Sequence, residues 1–201
     1  GYQTEIGVLH DIDGDGKPEI VYGGDGQMRY AKPDPANPTA TWKIHNVSER
    51  GYVTAHGVGA GDINGDGRVD IVNPYGWWEQ PPAGSNKEPW DYHPQAFGRY
   101  KRGFGGSAMA VYDVNGDKLN DVVTVLAAHG WGLAWFEQVK EGGKLTFREH
   151  KIMGDRSEES RYGLAFSQPH ALDLADIDGD GLKDIIVGKR LWAHGPKGDI
   201  E

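Results

Sequence analysis

The sequence contains no cysteine, so disulfide bonds cannot hold its loops. It has no run of about 18 apolar residues and no basic segment leading into an apolar one, so we expect no membrane span and find no export signal in these 201 residues. Prior removal of a signal peptide stays an open alternative. Basic residues number 21 against 30 acidic ones, which gives a net charge of −9. Because binding to a phosphate backbone requires clustered basic residues, this composition argues against nucleic acid as a partner.

Helical periodicity is also missing, since no long segment repeats its apolar residues every 3.6 positions. Glycine, in contrast, is abundant: 31 of the 201 residues, roughly twice the usual share of about 7%. Seven tryptophans and nine tyrosines add many aromatic side chains. Glycine-rich turns between short β-branched and aromatic runs are typical of all-β proteins, and we therefore expect an all-β fold.

A nine-residue motif, Asp-x-Asp/Asn-Gly-Asp-x-x-x-Asp/Glu, occurs four times, in residues 11–19, 62–70, 113–121 and 176–184. Each copy is preceded by one strand-like run and followed by an apolar strand. A Gly/Trp turn with a further strand and an aromatic-x-x-His strand complete the clearest copies. Four strands in a period of about 50 residues suit one blade of a β-propeller. We predict about four such blades in one array spanning residues 1–201, without an internal domain boundary.

The motif places side-chain oxygens at loop positions 1, 3, 5 and 9, and the carbonyl of position 7 adds another ligand of the kind that calcium prefers. Carboxylates this close repel one another unless a divalent cation lies between them. We therefore predict up to four calcium ions. Their ligands are Asp11, Asp13, Asp15, Lys17 (carbonyl) and Glu19; Asp62, Asn64, Asp66, Arg68 (carbonyl) and Asp70; Asp113, Asn115, Asp117, Leu119 (carbonyl) and Asp121; and Asp176, Asp178, Asp180, Leu182 (carbonyl) and Asp184.

The alternative interpretation is a set of Asx-turns without an ion, and four copies in register argue against it. EF-hands are excluded because position 12 is never glutamate and a strand, not a helix, follows each loop. Lys118 stands where the other loops have glycine at position 6, so it must adopt a left-handed backbone at a cost of about 1 kcal/mol. We predict the weakest calcium binding at this third loop.

The repeated motif with its apolar strand resembles the FG-GAP/VCBS repeats of integrin α-chain propellers and of many secreted bacterial proteins. This resemblance covers residues 2–195 and implies a secreted, periplasmic or cell-surface module, stabilised by calcium, that binds a protein or carbohydrate. Such propellers usually have seven blades. We therefore expect the four repeats to belong to a larger ring, completed by further blades of the same protein or by another copy.

The segments 76–80 and 132–138 resemble, more distantly, the propeller of fungal aldos-2-ulose dehydratase and related bacterial proteins. That likeness implies carbohydrate chemistry. It leads to the alternative function, a metal-assisted sugar lyase or dehydratase acting at the mouth of the propeller. The sequence leaves open whether the chain is an enzyme.

In blades of this family the innermost strand precedes the calcium loop, so residues six positions before each loop should share one level at the propeller mouth. The following strand runs back, which should return residues 14–18 positions after each loop start to the same end. Together these offsets predict a mouth site of Glu5, His56, Ser107, His170, His129, His194, Trp77, Trp131 and Arg190.

Imidazoles with a carboxylate suit zinc or iron, so this mouth is a candidate transition-metal site. His56, His129 and His170 are the candidate catalytic acids or bases, since histidine titrates near neutrality, and the tryptophans offer stacking platforms for sugar rings. The alternative is that these side chains only cap strands or fill space between blades. For the repeated His45, His93 and His150 we expect a structural role on the outermost strands.

Overall fold

The computed structural model describes residues 4–99, 105–154 and 163–190 of the chain. These residues form an all-β structure with no helix, and so with no helix long and apolar enough to cross a membrane. Its strands are β1 (Gly7–His10), β2 (Glu19–Gly24), β3 (Gln27–Lys32), β4 (Lys43–Asn46), β5 (Val58–Gly61), β6 (Asp70–Asn73), β7 (Gly76–Glu79), β8 (Asp91–Pro94), β9 (Ala108–Tyr112), β10 (Asp121–Val125), β11 (Leu133–Glu141), β12 (Lys144–Met153), β13 (Pro169–Ala175) and β14 (Asp184–Lys189).

The strands follow the sequence repeat. Each of the first three repeats forms four consecutive antiparallel strands, β1 to β4, β5 to β8 and β9 to β12, and the described part of the fourth repeat contributes the pair β13 and β14. This confirms the predicted all-β, propeller-like fold with four-stranded units. The single domain and the seven-bladed ring stay predictions.

Every predicted calcium loop joins the first two strands of its repeat in the same register. His10 pairs with Glu19, Gly61 with Asp70, Tyr112 with Asp121, and Ala175 with Asp184. The ninth loop residue thus begins the second strand, directly opposite the residue that precedes the loop. Four hairpins of identical register place the four loops at equivalent ends of their repeats.

The second and third repeats meet along their first strands. β5 and β9 pair in parallel, with Gly59 opposite Met109, and this contact joins the two repeats into one eight-stranded sheet. The approach requires a glycine, because a Cβ at position 59 would lie 2.2 Å from the carbonyl oxygen of Met109. The absence of a side chain at Gly59 therefore allows β5 and β9 to pair closely.

The hydrophobic core lies between consecutive repeats. One cluster packs Val21 and Met28 of the first repeat against Trp78 of the second, and the next packs Trp77 of the second against Phe136 of the third. A third cluster joins the third repeat to the strand pair of the fourth. The second and third repeats thus each pack between two neighbours, as expected of propeller blades.

Candidate functional site

The first aspartate organises each predicted calcium loop. In the first loop Asp11 accepts hydrogen bonds from the backbone N–H groups of Gly14 (2.9 Å), Asp15 (3.1 Å) and Gly16 (2.8 Å). The same three bonds recur at Asp62, Asp113 and Asp176. The loops are therefore curled in one conformation that turns their polar side chains toward a common point.

The ninth residue of each loop ties the loop to the sheet. Glu19 accepts a hydrogen bond of 2.8 Å from the backbone N–H of Ile12, and Asp70, Asp121 and Asp184 accept the equivalent bond from the second residue of their own loops. Burial raises the pKa of Asp70 to about 7 and also raises the pKa of Asp121. These buried carboxyl groups resist ionisation, and a nearby cation would reverse that tendency.

Two of the four loops bring three carboxylates together. Oxygens of Asp11, Asp13 and Asp15 lie within 4.8 Å of one another, and so do those of Asp176, Asp178 and Asp180. In the second and third loops the third position is an asparagine, whose Nδ2 donates to the fifth-position aspartate at 3.1 Å. The first and fourth loops thus have the geometry and charge best suited to a divalent cation.

The first loop already holds a positively charged side chain. The Nζ of Lys32 on β3 contacts Asp13, lies 2.7 Å from Asp15 and lies 3.6 Å from Glu19. Its hydrogen bond keeps the pKa of Asp15 below the usual range. Carboxylates at positions 3, 5 and 9 therefore face the same cationic group, the ammonium of Lys32.

The third loop has the backbone expected of it. Lys118 adopts φ +72°, close to the glycines that hold the sixth position in the other loops, such as Gly16 at +82° and Gly67 at +82°. The left-handed conformation predicted for this lysine is thus confirmed. The calcium affinity of the loop stays a prediction.

A histidine cluster lies at the other end of the inner strands. Nitrogen atoms of His56, His129 and His170 lie within 4.8 Å of one another, and the Nε2 atoms of His129 and His170 are 3.1 Å apart. The Oε2 of Glu5 lies 3.5 Å from the Nε2 of His56. His56 is fully buried and the other two imidazoles are half-buried. Both sequence offsets thus place imidazoles at one mouth.

The chain around this cluster is tightly held. The turn that carries His129 closes with a hydrogen bond from the N–H of Leu126 to the carbonyl of Gly132 (2.9 Å). The backbone N–H of Gln168 donates to Gly130 (2.8 Å), and its Nε2 donates to the carbonyl of His129 (3.0 Å). Gln168 has φ +59°, a conformation that costs a non-glycine residue about 1–3 kcal/mol and is found most often at functional sites.

The remaining predicted mouth residues differ in where they lie. Ser107 is buried beside the His56 segment, where its carbonyl accepts from the N–H of Val58 (3.2 Å). Trp131 is half-buried in the turn of His129, and the backbone N–H of Arg190 donates to Gln168 (2.9 Å) while its side chain is exposed. Trp77 does not belong to the mouth.

Trp77 is only 4% exposed and packs in the core between the second and third repeats. Its ring stacks on His93 at a centroid distance of 4.1 Å. The offset that placed it at the mouth failed because it fixes the level along a strand but not the face of the sheet toward which a side chain points. His194 lies outside the described residues.

The repeated outer histidines form a second pattern, of the structural kind expected. Each stacks on the aromatic residue opposite it on the third strand of its repeat and faces a glutamate: His45 on Tyr30 with Glu88, His93 on Trp77 with Glu79, and His150 on Trp135 with Glu137. The stacked rings are separated by 4.1–4.7 Å. These pairs hold the outer strands against the sheet.

An open groove of about 750 Å³ separates the first two repeats on the side of the first predicted calcium loop. Its walls carry the aromatic Tyr30 and Trp90, the cationic Lys43 and Lys87, and the insert that follows β7. This insert was not among the predicted site residues. Its two consecutive prolines, Pro81 and Pro82, were the available signal, since they favour a fixed, extended wall.

Two comparisons with known proteins bear on this architecture. A family model described as an FG-GAP-like repeat matches residues 11–72 and 113–187, together more than half of the chain. A search of curated proteins gives no match.

Proposed function

The chain belongs to the FG-GAP-like repeat family, and from this premise we propose that it is a calcium-stabilised, extracellular β-propeller module that binds a protein or carbohydrate partner. Repeats of this family are typical of extracellular proteins and often serve in binding. The observation that carries the calcium assignment is the convergence of Asp11, Asp13 and Asp15 within 4.8 Å in a loop whose backbone donors already order the carboxylates.

Calcium is the ion that this oxygen set favours. It accepts six to eight oxygen ligands at about 2.3–2.6 Å in flexible geometry, whereas magnesium requires a near-ideal octahedron and retains water. Binding to the folded chain alone would stabilise it by about 2.7 kcal/mol at a free calcium concentration 100 times the dissociation constant. Calcium would thereby supply cross-links in a chain that has no cysteine.

Calorimetric titration and thermal unfolding of chelator-treated protein test the assignment. We expect calcium to bind and to raise the melting temperature, and we expect the double variant Asp11→Asn, Asp176→Asn to lose both effects at the first and fourth loops. The exposed Asp34, outside the loops, provides the matched control Asp34→Asn. Absence of calcium binding to the wild type, with no rise in melting temperature, would remove the calcium assignment.

Two surfaces are available to the partner. The groove between the first two repeats combines aromatic rings with cationic and carboxylate side chains, a mixture that suits a polar ligand such as a carbohydrate or an extended peptide. The mouth adds Trp131 beside the histidine cluster. Substituting Lys43 and Lys87 with Ser should weaken a ligand of the groove and leave a ligand of the mouth unaffected, which equilibrium binding measurements can distinguish.

A second candidate function, a metal-assisted sugar lyase or dehydratase, is favoured by the three imidazoles at the mouth. Elimination from a sugar requires a base near neutral pKa, which histidine supplies, and a group that polarises the adjacent carbonyl. Replacing His56 and His170 together should abolish turnover of a sugar substrate, with His93→Ala as the control. Unchanged turnover in the double variant would exclude this second function.

A further inference from the structure

We infer that the imidazoles of His56, His129 and His170 bind one divalent transition-metal ion of the zinc class. This site is separate from the calcium loops, and the inference goes beyond the proposed function because it requires neither a sugar substrate nor a calcium-dependent partner. The nitrogen donors at the mouth determine which class of ion the site binds. Their nitrogen atoms come from three different repeats and lie within 4.8 Å of one another.

The spacing of the nitrogens fits a tetrahedral ion. With bonds of about 2.0–2.1 Å, two nitrogens on one zinc ion lie about 3.3–3.4 Å apart. The Nε2 atoms of His129 and His170 are separated by 3.1 Å, close to that value. The third nitrogen, of His56, lies within 4.8 Å of the other two. A shift of at most about 1.5 Å would bring it to the same separation.

Three protein ligands leave a coordination position open. Structural zinc sites are usually closed by four protein ligands, whereas sites that bind a water molecule or a substrate typically have three. The carboxylate of Glu5, 3.5 Å from His56 and half exposed, adds a negative charge beside the cluster. That charge favours a cation over an arrangement of three neutral imidazoles.

The polypeptide holds the cluster in position before any ligand arrives. Gln168 joins the turn of His129 to the strand of His170 through its backbone N–H and its side-chain Nε2, at 2.8 and 3.0 Å. It does so in a left-handed conformation, φ +59°. Such strain persists only where the surrounding structure requires it. We assign Gln168 as a positioning residue that acts through His129.

Ligand chemistry distinguishes this site from the loops. Imidazole nitrogens suit zinc and its neighbours in the first transition series, whereas calcium takes oxygen ligands. His56 lies six residues before Asp62, the start of its loop, a distance of about 20 Å along a strand. The two kinds of ion therefore occupy opposite ends of the inner strands, and calcium can saturate the loops without competing at the mouth.

The test uses untagged protein saturated with calcium and titrated with zinc by calorimetry, with cobalt(II) as a spectroscopic probe. We expect one equivalent of zinc and, with cobalt, the intense visible absorption of a four-coordinate ion. His129→Ala and His170→Ala should weaken zinc binding by more than about 100-fold, above the 10–100-fold typical of changes outside the ligand set. His93→Ala, at an outer histidine that also stacks on an aromatic ring, should have no effect.

Gln168→Gly tests the positioning role, since glycine keeps the left-handed backbone and removes the side-chain bond to His129. We expect a loss of about tenfold in zinc affinity and a changed cobalt spectrum. Unchanged cobalt spectrum and affinity in this variant would contradict the role of Gln168.

The wild-type titration can overturn the site whatever the folding of the variants, and comparison with a folded variant gives a second way to do so. If calcium-saturated wild type takes up no equivalent of zinc, or if its zinc binding equals that of a correctly folded His129→Ala variant, no metal site exists at the mouth. Calcium binding to the loops is measured in the same samples, so failure at the mouth and failure of the proposed function give different results.

Discussion

At the scale of single residues, Lys32 determines how the first loop behaves without calcium. Its ammonium group contacts three carboxylates of the loop, Asp13, Asp15 and Glu19, and so occupies the region that a calcium ion would share with them. Calcium must displace this group or share the carboxylates with it. The loop motif does not predict this competition, because Lys32 lies 13 residues beyond the loop in the third strand of the repeat.

Replacing this lysine should therefore change the first loop in two opposite ways. In a background in which Asp176→Asn silences the fourth loop, we expect Lys32→Met to bind calcium about fivefold more tightly, from relief of a competing ion pair of about 1 kcal/mol. The calcium-free protein should be less stable, because its carboxylates lose their cation. Calorimetric titration and thermal unfolding measure the two effects.

The neighbouring strand offers the control. Lys43 lies opposite Lys32 in the β3 and β4 register and is exposed. Lys43→Met removes the same charge without touching the loop, so it should leave calcium affinity unchanged. Equal effects of the two substitutions would mean that net charge, rather than occupation of the loop by Lys32, determines the affinity.

At the scale of the repeat element, a glutamine joins the second repeat to the first loop and another joins the third repeat to the second loop. The Nε2 of Gln138, at the middle of β11, donates to the carbonyl of Ile63 in the second loop (2.6 Å) and to that of Asn120 (2.7 Å). Gln80 makes the equivalent bond to Ile12 in the first loop (2.6 Å). The loops are therefore fixed by the following repeat as well as by their own strands.

Gln138→Leu should be strongly destabilising. The glutamine is 1% exposed, so leucine would leave two buried carbonyl groups without their donor, at a cost of about 2–4 kcal/mol. We expect the melting temperature to fall by about 5–10 °C. The control Gln95→Leu lies at the edge of the second repeat. It should change the free energy of unfolding by no more than about 0.5 kcal/mol. A Gln138→Leu protein as stable as this control would show that the bond between repeats contributes little.

This glutamine also marks the limit of what sequence alone could predict. Fixed offsets along the sequence predicted the four loops and their strands, because the same hairpin register recurs in every repeat. The same offsets predicted that His56, His129 and His170 lie at one end of the inner strands. Contacts between repeats do not follow from an offset. They depend on twist and on the face of each strand, which is why Trp77 was misplaced and why Gln138, Gln168 and Lys32 were missed.

At the scale of the whole molecule, a chain of net negative charge buries three of its carboxylates. The chain carries a net charge of −9, and the ninth-position carboxylates Glu19, Asp70 and Asp121 are fully buried. Burial is the main cause of the raised pKa of Asp70, and the charges of Asp66 and Asp62 add to it. Hydrogen bonds from the N–H groups of Gln80 and Ile63 act in the opposite direction without cancelling the effect.

This distribution predicts how the stability of the calcium-free protein depends on pH. The folded carboxyl of Asp70 has a pKa of about 7 against an ordinary value of 3.8, so between these values the folded chain binds a proton that the unfolded chain has released. The contribution of Asp70 to the free energy of unfolding must therefore fall as pH rises through this window. Urea unfolding at a series of pH values measures that slope.

The variant Asp70→Asn isolates the contribution of this carboxyl, since asparagine does not titrate, and its slope between about pH 4 and pH 7 should be shallower than that of the wild type. Saturating calcium should also flatten the wild-type slope, because an ion beside the carboxylates favours their charged form. If the two calcium-free proteins share the same slope, Asp70 titrates normally despite its burial. The pH dependence of stability would then come from another buried carboxyl. Asp121 is the next one to replace, because burial raises its pKa as well.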